Sequence, residues 1–198
     1  MKRERKIEHP WELVLSAAEY AAQAHRGQTR KGSSQRPYVE HCIGVANILA
    51  SHGVDDPVTL AAALLHDTIE DCHKTRDELA AKFGDAVADV VVEVTDDKTL
   101  EKTARKESQV LHAPRLSARA RLVKLADKIV NVREVAVDPP HWWEVERRLD
   151  YVRWAQRVVA AIPAPYPKAE GPLRDLFDAQ CRATLDCIAA EIKAASLI

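Results

Sequence analysis

Residues 61–71 read AAALLHDTIED, and this segment joins a run of apolar residues to a cluster of ionisable ones. At about 100° per residue, a helix places the apolar side chains in one sector and the ionisable ones together in another. The ionisable residues are His66, Asp67, Glu70 and Asp71. No lysine or arginine accompanies them, although exposed helical stripes often pair both signs of charge. The segment is therefore either a solvent-facing stripe or part of a metal site, in which a cation compensates the carboxylates.

A second segment, ARLVKLADKIVNVRE at residues 120–134, has the same two-sided pattern. The polar edge of this helix is an aspartate with three polar neighbours within about 100° of it. The remaining sector is apolar apart from Arg133, which is expected either to be paired there or to lie where the helix ends. These polar residues are Asp127, Asn131, Lys124 and Lys128. The edge fits an ordinary protein surface, and it equally fits a metal-binding aspartate whose neighbours bind phosphate.

His41 lies near the start of a third helix, in the segment PYVEHCIGVANIL at residues 37–49. Val45 and Ile48 follow it by four and seven residues, so the histidine shares their core-facing side. A histidine in this position is either hydrogen-bonded within the core or a metal ligand. The order along the chain is thus a histidine, a His-Asp pair and a distant aspartate.

The composition predicts a globular chain of one domain. The chain has 198 residues, of which 46% are hydrophobic, and its formal net charge is −1. This charge argues against broad binding of a nucleic-acid polymer, and no apolar run is long enough to span a membrane. The cysteines form no C-x-x-C pair and indicate reduced thiols in a cytoplasmic protein, with a structural zinc site as the alternative. They are Cys42, Cys72, Cys181 and Cys187.

Helical periodicity recurs along the sequence and predicts an all-α fold, a single helical bundle. Two helix starts carry capping signals, because Asp56 precedes Pro57 and Thr75 precedes Glu78 by three residues. The polar segment at residues 95–109 predicts a connection between helices. The expected helices before the C-terminal one cover residues 11–24, 39–51, 57–71, 76–83, 85–95, 117–135 and 141–162.

We expect one domain over residues 1–198, with its core at about 12–160. The segment AIPAPYPKAEGP at 161–172 predicts a proline-rich linker to a C-terminal helix at about 173–195. No internal repeat and no low-complexity tail divides the sequence further.

The order His41, then His66-Asp67, then Asp127 resembles the HD superfamily of metal-dependent phosphohydrolases. The surrounding segments are more specific, and they resemble the hydrolase domain of the Rel/SpoT family. Members of this family remove the 3′-pyrophosphate from the alarmone (p)ppGpp. The segments that carry the resemblance are HRGQTRKG, PYVEH, AALLHDTIED, FGDAVADVVVEVTDDK and VKLADKIVN.

This resemblance covers residues 17–135 and continues more loosely through YVRWA at 151–155. It is closest to the stand-alone small alarmone hydrolases, which include the metazoan SpoT homologue. The length of 198 residues leaves no room for the family's synthetase or regulatory domains. The resemblance therefore implies an HD-domain helical bundle that acts on a small nucleotide.

The resemblance also assigns roles to the ionisable residues. It implies that Glu70 and Asp71 orient or deprotonate the attacking water. The family's metal is manganese, so Mn²⁺ is the expected cofactor, although imidazole and carboxylate ligands also suit iron, cobalt, nickel or zinc. The implied metal ligands are His41, His66, Asp67 and Asp127.

Basic residues in two loops are expected to bind the nucleotide and its phosphates if both loops border the metal. Arg30 and Lys31 match the family's Arg-Lys pair, and Asn131 and Tyr151 match positions near the base and ribose. The full expected set is Arg30, Lys31, Lys98, Lys102, Arg105, Asn131 and Tyr151. Two features depart from the family: GSSQR lengthens the first loop, and Cys42 stands where proline is common. Neither removes a catalytic group.

The expected reaction is metal-assisted hydrolysis of the 3′ ester, which yields GDP or GTP and pyrophosphate. The acidic pair takes the proton of the water, and the basic residues offset charge on the departing pyrophosphate. One alternative is another phosphohydrolase activity at the same site, such as removal of the 2′-phosphate of NADPH. Another is a catalytically silent alarmone-binding regulator, which would not need the complete set of ligands and acids.

Overall fold

The computed structural model describes residues 9–163 and 168–196, and within these ranges the chain folds into α-helices without a β-strand. This confirms the predicted all-α class. The helices are α1 (Pro10–Ala24), α2 (Val39–Ser51), α3 (Pro57–Leu65), α4 (Thr68–Cys72), α5 (Arg76–Phe83), α6 (Asp85–Val94), α7 (Lys102–His112), α8 (Ala118–Val137), α9 (Val145–Ala161) and α10 (Glu170–Ala195). Residues 164–167 of the predicted linker lie outside the described residues. None of the described helices combines the length and apolarity that crossing a bilayer requires.

Helices α3 and α8 form the centre of the bundle. Every residue of α3 from Thr59 to Leu65 is buried, and its three successive alanines let neighbouring helices approach closely. Helix α3 packs against α1, α2 and α6, whereas α8 packs against α2, α9 and α10. Because both helices are held on several sides, the polar residues that they carry occupy well-defined positions.

The predicted capping signals set the starts of two helices. The Asp56 carboxylate accepts a backbone N–H at the start of α3, and Thr75 and Glu78 form a reciprocal capping box at the start of α5. Helix α10 begins at Glu170, earlier than the expected residue 173. Pro172 lies in its first turn, where the missing N–H has no helical partner to lose.

The prediction of one continuous helix through residues 57–71 is wrong at the His-Asp pair. Helix α3 ends at Leu65, and α4 begins at Thr68. The Thr68 hydroxyl donates to the Leu65 carbonyl (2.7 Å), and His66 Nδ1 bonds the Ala63 carbonyl (2.8 Å), so side chains satisfy carbonyls at the end of α3. The resulting turn points the side chains of His66 and Asp67 towards the same space.

The polar segment at residues 95–109, predicted as a connection, contributes most of helix α7. No residue of α7 is fully buried, so the segment lacks the apolar stripe by which a helix is recognised in a sequence. Besides the partly buried Val110, which packs against the core, it is held by polar and backbone contacts. The Trp154 indole N–H of α9 donates to the Lys106 carbonyl of α7 at 2.9 Å. Several predicted substrate-binding cations therefore lie on a helix rather than on a loop.

Candidate active site

The four expected metal ligands come from three separate parts of the fold and meet at one point. His41 lies in the first turn of α2, His66 and Asp67 form the turn between α3 and α4, and Asp127 lies at the middle of α8. The Nε2 atoms of the two histidines are 3.3 Å apart. Asp127 Oδ1 lies 3.2 Å from His41 Nε2, and Asp67 Oδ2 lies 3.1 Å from His66 Nε2.

These distances fit the coordination of a divalent cation. Ligand bonds of about 2.0–2.2 Å place neighbouring donor atoms about 3.0–3.6 Å apart. His66 Nδ1 is bonded to the Ala63 carbonyl at 2.8 Å, which leaves its Nε2 facing the other ligands. A backbone partner of this kind sets the tautomer and orientation of a metal-binding histidine. His41, His66 and Asp127 are also all buried, so the donors are shielded from water.

The charges of the cluster also favour the binding of a cation. Burial opposes a charge on His66, yet the neighbouring carboxylates of Asp67 and Asp127 raise its pKa to about 10. Burial lowers the pKa of His41, which is therefore neutral at pH 7. The partly buried Asp67 and the buried Asp127 thus attract a proton onto His66, and a metal ion would supply the same positive charge in place of that proton.

The two carboxylate oxygens of Asp127 have different partners, since one faces the ligand cluster and the other accepts from Lys128. Its Oδ2 accepts from Lys128 Nζ at 3.0 Å, while its Oδ1 faces the histidines and accepts from Asn131 Nδ2 at 2.6 Å. Burial opposes the negative charge, but Lys128 and the histidines hold the pKa of Asp127 well below its ordinary value. Asp127 is therefore ionised, as a metal ligand must be.

The acidic pair lies on α4, directly beside the ligands. The Tyr38 hydroxyl is within hydrogen-bond distance of Asp67 Oδ2 (2.7 Å) and Asp71 Oδ2 (3.0 Å), so it bridges a ligand and an acid. Tyr38 was missed at the sequence level. Its place three residues before His41 was the available signal, because residues at i and i+3 share one side of a helical turn.

Glu70 has the properties of a proton acceptor near neutral pH. Burial, together with the negative charges of Asp96 and Asp67, raises the pKa of Glu70 to about 7. The Asp96 backbone N–H donates to Glu70 Oε2 at 3.2 Å and fixes the orientation of the carboxyl group. A carboxyl group that titrates near neutrality is suited to general acid–base chemistry.

Lys98 lies next to the acidic pair. Its ammonium forms an ion pair with Asp71 and lies 3.9 Å from Glu70 Oε1. Its positive charge is thus directed at the two acids in the structure, and the phosphate contact expected from the sequence stays a prediction.

A cavity of about 950 Å³ surrounds the ligand cluster. Every site residue expected from the sequence lines it. These residues are Arg30, Lys31, His41, His66, Asp67, Glu70, Asp71, Lys98, Lys102, Arg105, Asp127, Asn131 and Tyr151. All the residues with an expected chemical role therefore lie around a single cavity.

One wall of this cavity is basic. Lys102 and Arg105 of α7 are joined there by Lys31 and Arg147, and burial together with these neighbouring cations lowers the pKa of Lys102. Lys106 follows on the same helix, with its ammonium 4.8 Å from the Trp154 ring. Such a concentration of cations is suited to binding a polyanion such as a phosphate chain.

A second cavity, of about 510 Å³, adjoins the first. The two cavities share several lining residues, among them Arg30, Tyr38, Asn131 and Tyr151. Val135, Pro140 and Trp143 give the second cavity apolar walls, and none of the four expected metal ligands lines it. Its size and mixed lining suit the aromatic and sugar parts of a nucleotide.

Comparisons with known proteins agree with this geometry. A family model described as HD domain matches residues 17–156. Guanosine-3′,5′-bis(diphosphate) 3′-pyrophosphohydrolase MESH1 from Xenopus tropicalis is 45% identical over 166 residues, which cover 83% of this chain and 93% of the relative. The protein of the same name from Homo sapiens is 47% identical over 165 residues, which cover 83% of this chain and 92% of the relative.

The fold is similar to that of a solved structure described as "A metazoan ortholog of SpoT hydrolyzes ppGpp and plays a role in starvation responses". The TM-score is 0.79 at 39% identity, and the match covers 88% of this chain and 98% of the other. The structure of lmo0812 from Listeria monocytogenes is more distant, with a TM-score of 0.60 at 26% identity and coverage of 75% and 99%.

Proposed function

Because the chain belongs to the HD-domain family, we propose that it is a metal-dependent hydrolase that removes the 3′-pyrophosphate of (p)ppGpp. The MESH1 relatives, which carry that activity in their names, match it over most of both lengths. This bears out the resemblance to the Rel/SpoT hydrolases. The observation that carries the proposal is the cluster of four ligands beside an acidic pair, in one cavity with a basic wall.

His41, His66, Asp67 and Asp127 would hold the metal, and we propose Mn²⁺ as its identity. The family resemblance supports manganese, and a mixed imidazole–carboxylate set is compatible with it. When bound, such a cation polarises the scissile phosphate and lowers the pKa of the attacking water.

Glu70 and Asp71 take the roles of positioning the water and accepting its proton. The raised pKa of Glu70, about 7, keeps its conjugate base basic enough to take a proton near neutral pH. Tyr38 and Lys98 hold Asp71 by a hydrogen bond and an ion pair. Their contacts fix the direction of this carboxylate without substrate present.

The basic wall of α7 receives the phosphates. Lys102 and Arg105 offset charge on the phosphate chain and on the departing pyrophosphate. Arg30, Asn131 and Tyr151 lie where the two cavities join, and the nucleoside occupies the second cavity. The products are GDP from ppGpp and GTP from pppGpp, each with pyrophosphate.

The protein is proposed to act as one domain in the cytoplasm. All four cysteines are free thiols, which favours a reducing compartment. The packing of α10 against α8 and α9 supports a single unit that includes the C-terminal helix.

The test is a substrate panel with the Mn²⁺-reconstituted protein: ppGpp, pppGpp and NADPH, with chromatographic separation of the products. We expect one pyrophosphate per GDP from ppGpp. Inorganic phosphate from NADPH without turnover of ppGpp would assign the site to the other phosphohydrolase activity. Binding of ppGpp without any product would assign a regulator. Asp67→Asn should abolish turnover, whereas Asp77→Asn, at a side chain that is 94% exposed, should retain it.

A further inference from the structure

Helix α8 carries polar residues at regular intervals from the ligand cluster to its C-terminal end. The intervals of four, three and four residues place them on one face of the helix. They are Asp127, Asn131, Glu134 and Asp138. Only Asp127 faces the two ligand histidines, and the other three bind the segment between α1 and α2, at residues 25–38. We call this segment the nucleotide loop, because it carries Arg30 and Lys31.

Glu134 makes the central contact between α8 and the nucleotide loop. Arg30 donates to Glu134 Oε2 from Nε at 2.8 Å and also from Nη2. The Arg30 and Glu134 side chains are only 17% and 14% exposed, so water screens this pair less than a surface ion pair. Arg36, at the far end of the loop, lies 3.3 Å from the other Glu134 oxygen. One carboxylate therefore holds both sides of the loop.

The contact continues inward to the metal ligand. Arg30 Nη2 also donates to Asn131 Oδ1 at 2.7 Å, and Asn131 Nδ2 donates to Asp127 Oδ1 at 2.6 Å. The same Asp127 oxygen lies 3.2 Å from His41 Nε2. Glu134, Arg30 and Asn131 thus form a continuous chain of hydrogen bonds between the nucleotide loop and the ligand cluster.

The outer end of the loop is held separately. Asp138 Oδ1 accepts from the Ser33 hydroxyl at 3.0 Å and from the Ser34 N–H at 3.3 Å. Gly32 pairs with Pro140 in an isolated bridge, and a Cβ at Gly32 would overlap the Asp138 side chain. Residues of the lengthened GSSQR segment are therefore packed on the end of α8.

The carboxylates around Arg30 affect which part of a nucleotide this residue can bind. Glu134 pairs with its guanidinium and Glu40 lies 3.7 Å from Arg36, so two carboxylates offset the charges of the two arginines. The Tyr38 ring lies 5.2 Å from Arg30 Cζ. A neutralised, oriented guanidinium still offers a flat stacking surface and a free donor edge, but it attracts phosphate weakly. The basic wall is more strongly cationic, because Lys102 lies close to Arg105, Arg147 and Lys31.

We infer that Glu134 is a positioning residue that directs Arg30 to the nucleoside of the substrate rather than to its phosphates. This inference rests on the proposed function for the identity of the nucleotide. It assigns a specificity role to a residue that contacts neither the metal ligands nor the acidic pair.

The test is Glu134→Gln, which keeps the size of the side chain and removes its charge. We expect KM for ppGpp to rise about tenfold, because loss of one hydrogen bond to a charged group weakens binding by about that factor. The value of kcat should change by less than about threefold. As competitive inhibitors at fixed free Mn²⁺, GDP should bind about tenfold more weakly and pyrophosphate should bind unchanged. Glu134→Asp retains the charge and should recover part of the GDP affinity.

Glu191→Gln is the matched control. Glu191 of α10 also accepts two hydrogen bonds from one arginine, Arg148 of α9, and the substitution removes its charge in the same way. It should leave both inhibition constants unchanged. Equal weakening of GDP and pyrophosphate in Glu134→Gln, or unchanged binding of both, would overturn the inference.

Hydrogen exchange tests the loop independently of any substrate. The Arg30 N–H donates to the Arg36 carbonyl at 2.8 Å, and the Tyr38 N–H donates to the Gln28 carbonyl at 2.9 Å. Both amides should exchange faster in Glu134→Gln and at wild-type rates in Glu191→Gln; unchanged rates in both would contradict a positioning role. If wild-type protein releases no pyrophosphate from ppGpp, the proposed function fails, while GDP binding and exchange still decide the role of Glu134.

Discussion

Tyr38→Phe isolates the contribution of a single hydroxyl group to the site. The ring would keep its stacking on His25, at 4.8 Å between centroids, and its contact with the Arg30 guanidinium. What is lost is the bridge between Asp67 Oδ2 and Asp71 Oδ2, at 2.7 and 3.0 Å. The substitution therefore removes one of the two contacts that hold Asp71, leaves its ion pair with Lys98, and does not disturb the surrounding packing.

The size of the effect follows from these contacts. A hydrogen bond to a charged group contributes about 1.5–3 kcal/mol. We count one of the two bonds, because Asp67 would also be held by the metal, whereas Asp71 would keep only its ion pair with Lys98. Since about 1.4 kcal/mol corresponds to a tenfold change in rate, kcat/KM for ppGpp should fall about 10- to 100-fold. Most of the loss should be in kcat, because the acidic pair acts on the water and not on the bound nucleotide.

The assay is steady-state release of pyrophosphate, with metal content measured by elemental analysis on the same samples. Tyr20→Phe is the control, since Tyr20 packs edge-on against Phe83 away from the ligand cluster. We expect full metal content in both variants and a rate loss in Tyr38→Phe alone. A Tyr38→Phe enzyme with kcat/KM within about twofold of wild type would refute the bridging role.

Asp127→Ala should lose both bound metal and turnover, and full metal content by elemental analysis would contradict its assignment as a ligand. Glu70→Gln should keep its metal while kcat falls at least about 100-fold, as expected for a general base; stoichiometric loss of metal would instead make it a ligand. The pKa of Glu70, about 7, means that its active, ionised form is lost as pH falls, so kcat/KM should rise with pH, reach half its plateau near pH 7 and level off about one pH unit above it. Asp96→Asn removes a neighbouring negative charge and should shift this rise to lower pH; an unshifted profile would exclude Glu70 as the titrating group. Gly32→Ala should raise KM more than it lowers kcat, because a Cβ there displaces the nucleotide loop from Asp138, and unchanged kinetics would contradict that contact.

Local signals in the sequence predicted most helices, because apolar periodicity and capping residues act within a few positions. Helix α7 was missed because its residues are never fully buried and its pattern carries no apolar stripe. The helical arrangement assumed for residues 57–71 was wrong at the His-Asp turn, yet the ionisable side chains still lie together. They do so because the turn redirects His66 and Asp67 to the side on which Glu70 and Asp71 already lie.

Contacts between distant segments could not be predicted in the same way. Arg30 and Glu134 are separated by 104 positions, and their pairing depends on how α8 packs beside the nucleotide loop. As isolated residues, an arginine in a polar loop and a glutamate on a helix both indicate solvated surface. The sequence therefore assigned Arg30 to phosphate or base by its charge and family position, and it gave no sign that another side chain balances that charge.

The ligand cluster and the acidic pair do not by themselves select the 3′-pyrophosphate of ppGpp. The 2′-phosphate of NADPH is likewise an ester of a ribose secondary hydroxyl next to a purine, so the same attack on phosphorus would serve both. Apart from the position of the ester, 3′ or 2′, and the pyrophosphate or phosphate that it carries, the two substrates differ in the base and in the group at the 5′ position. We expect the base to meet the second cavity with its Glu134–Arg30 pair, and the 5′ phosphates to meet the basic wall with Lys102 and Arg105. Substrate choice must therefore lie in the residues that orient the nucleoside and its 5′ phosphates, and variants of these residues should change the ratio of ppGpp to NADPH turnover where variants of the metal ligands abolish both.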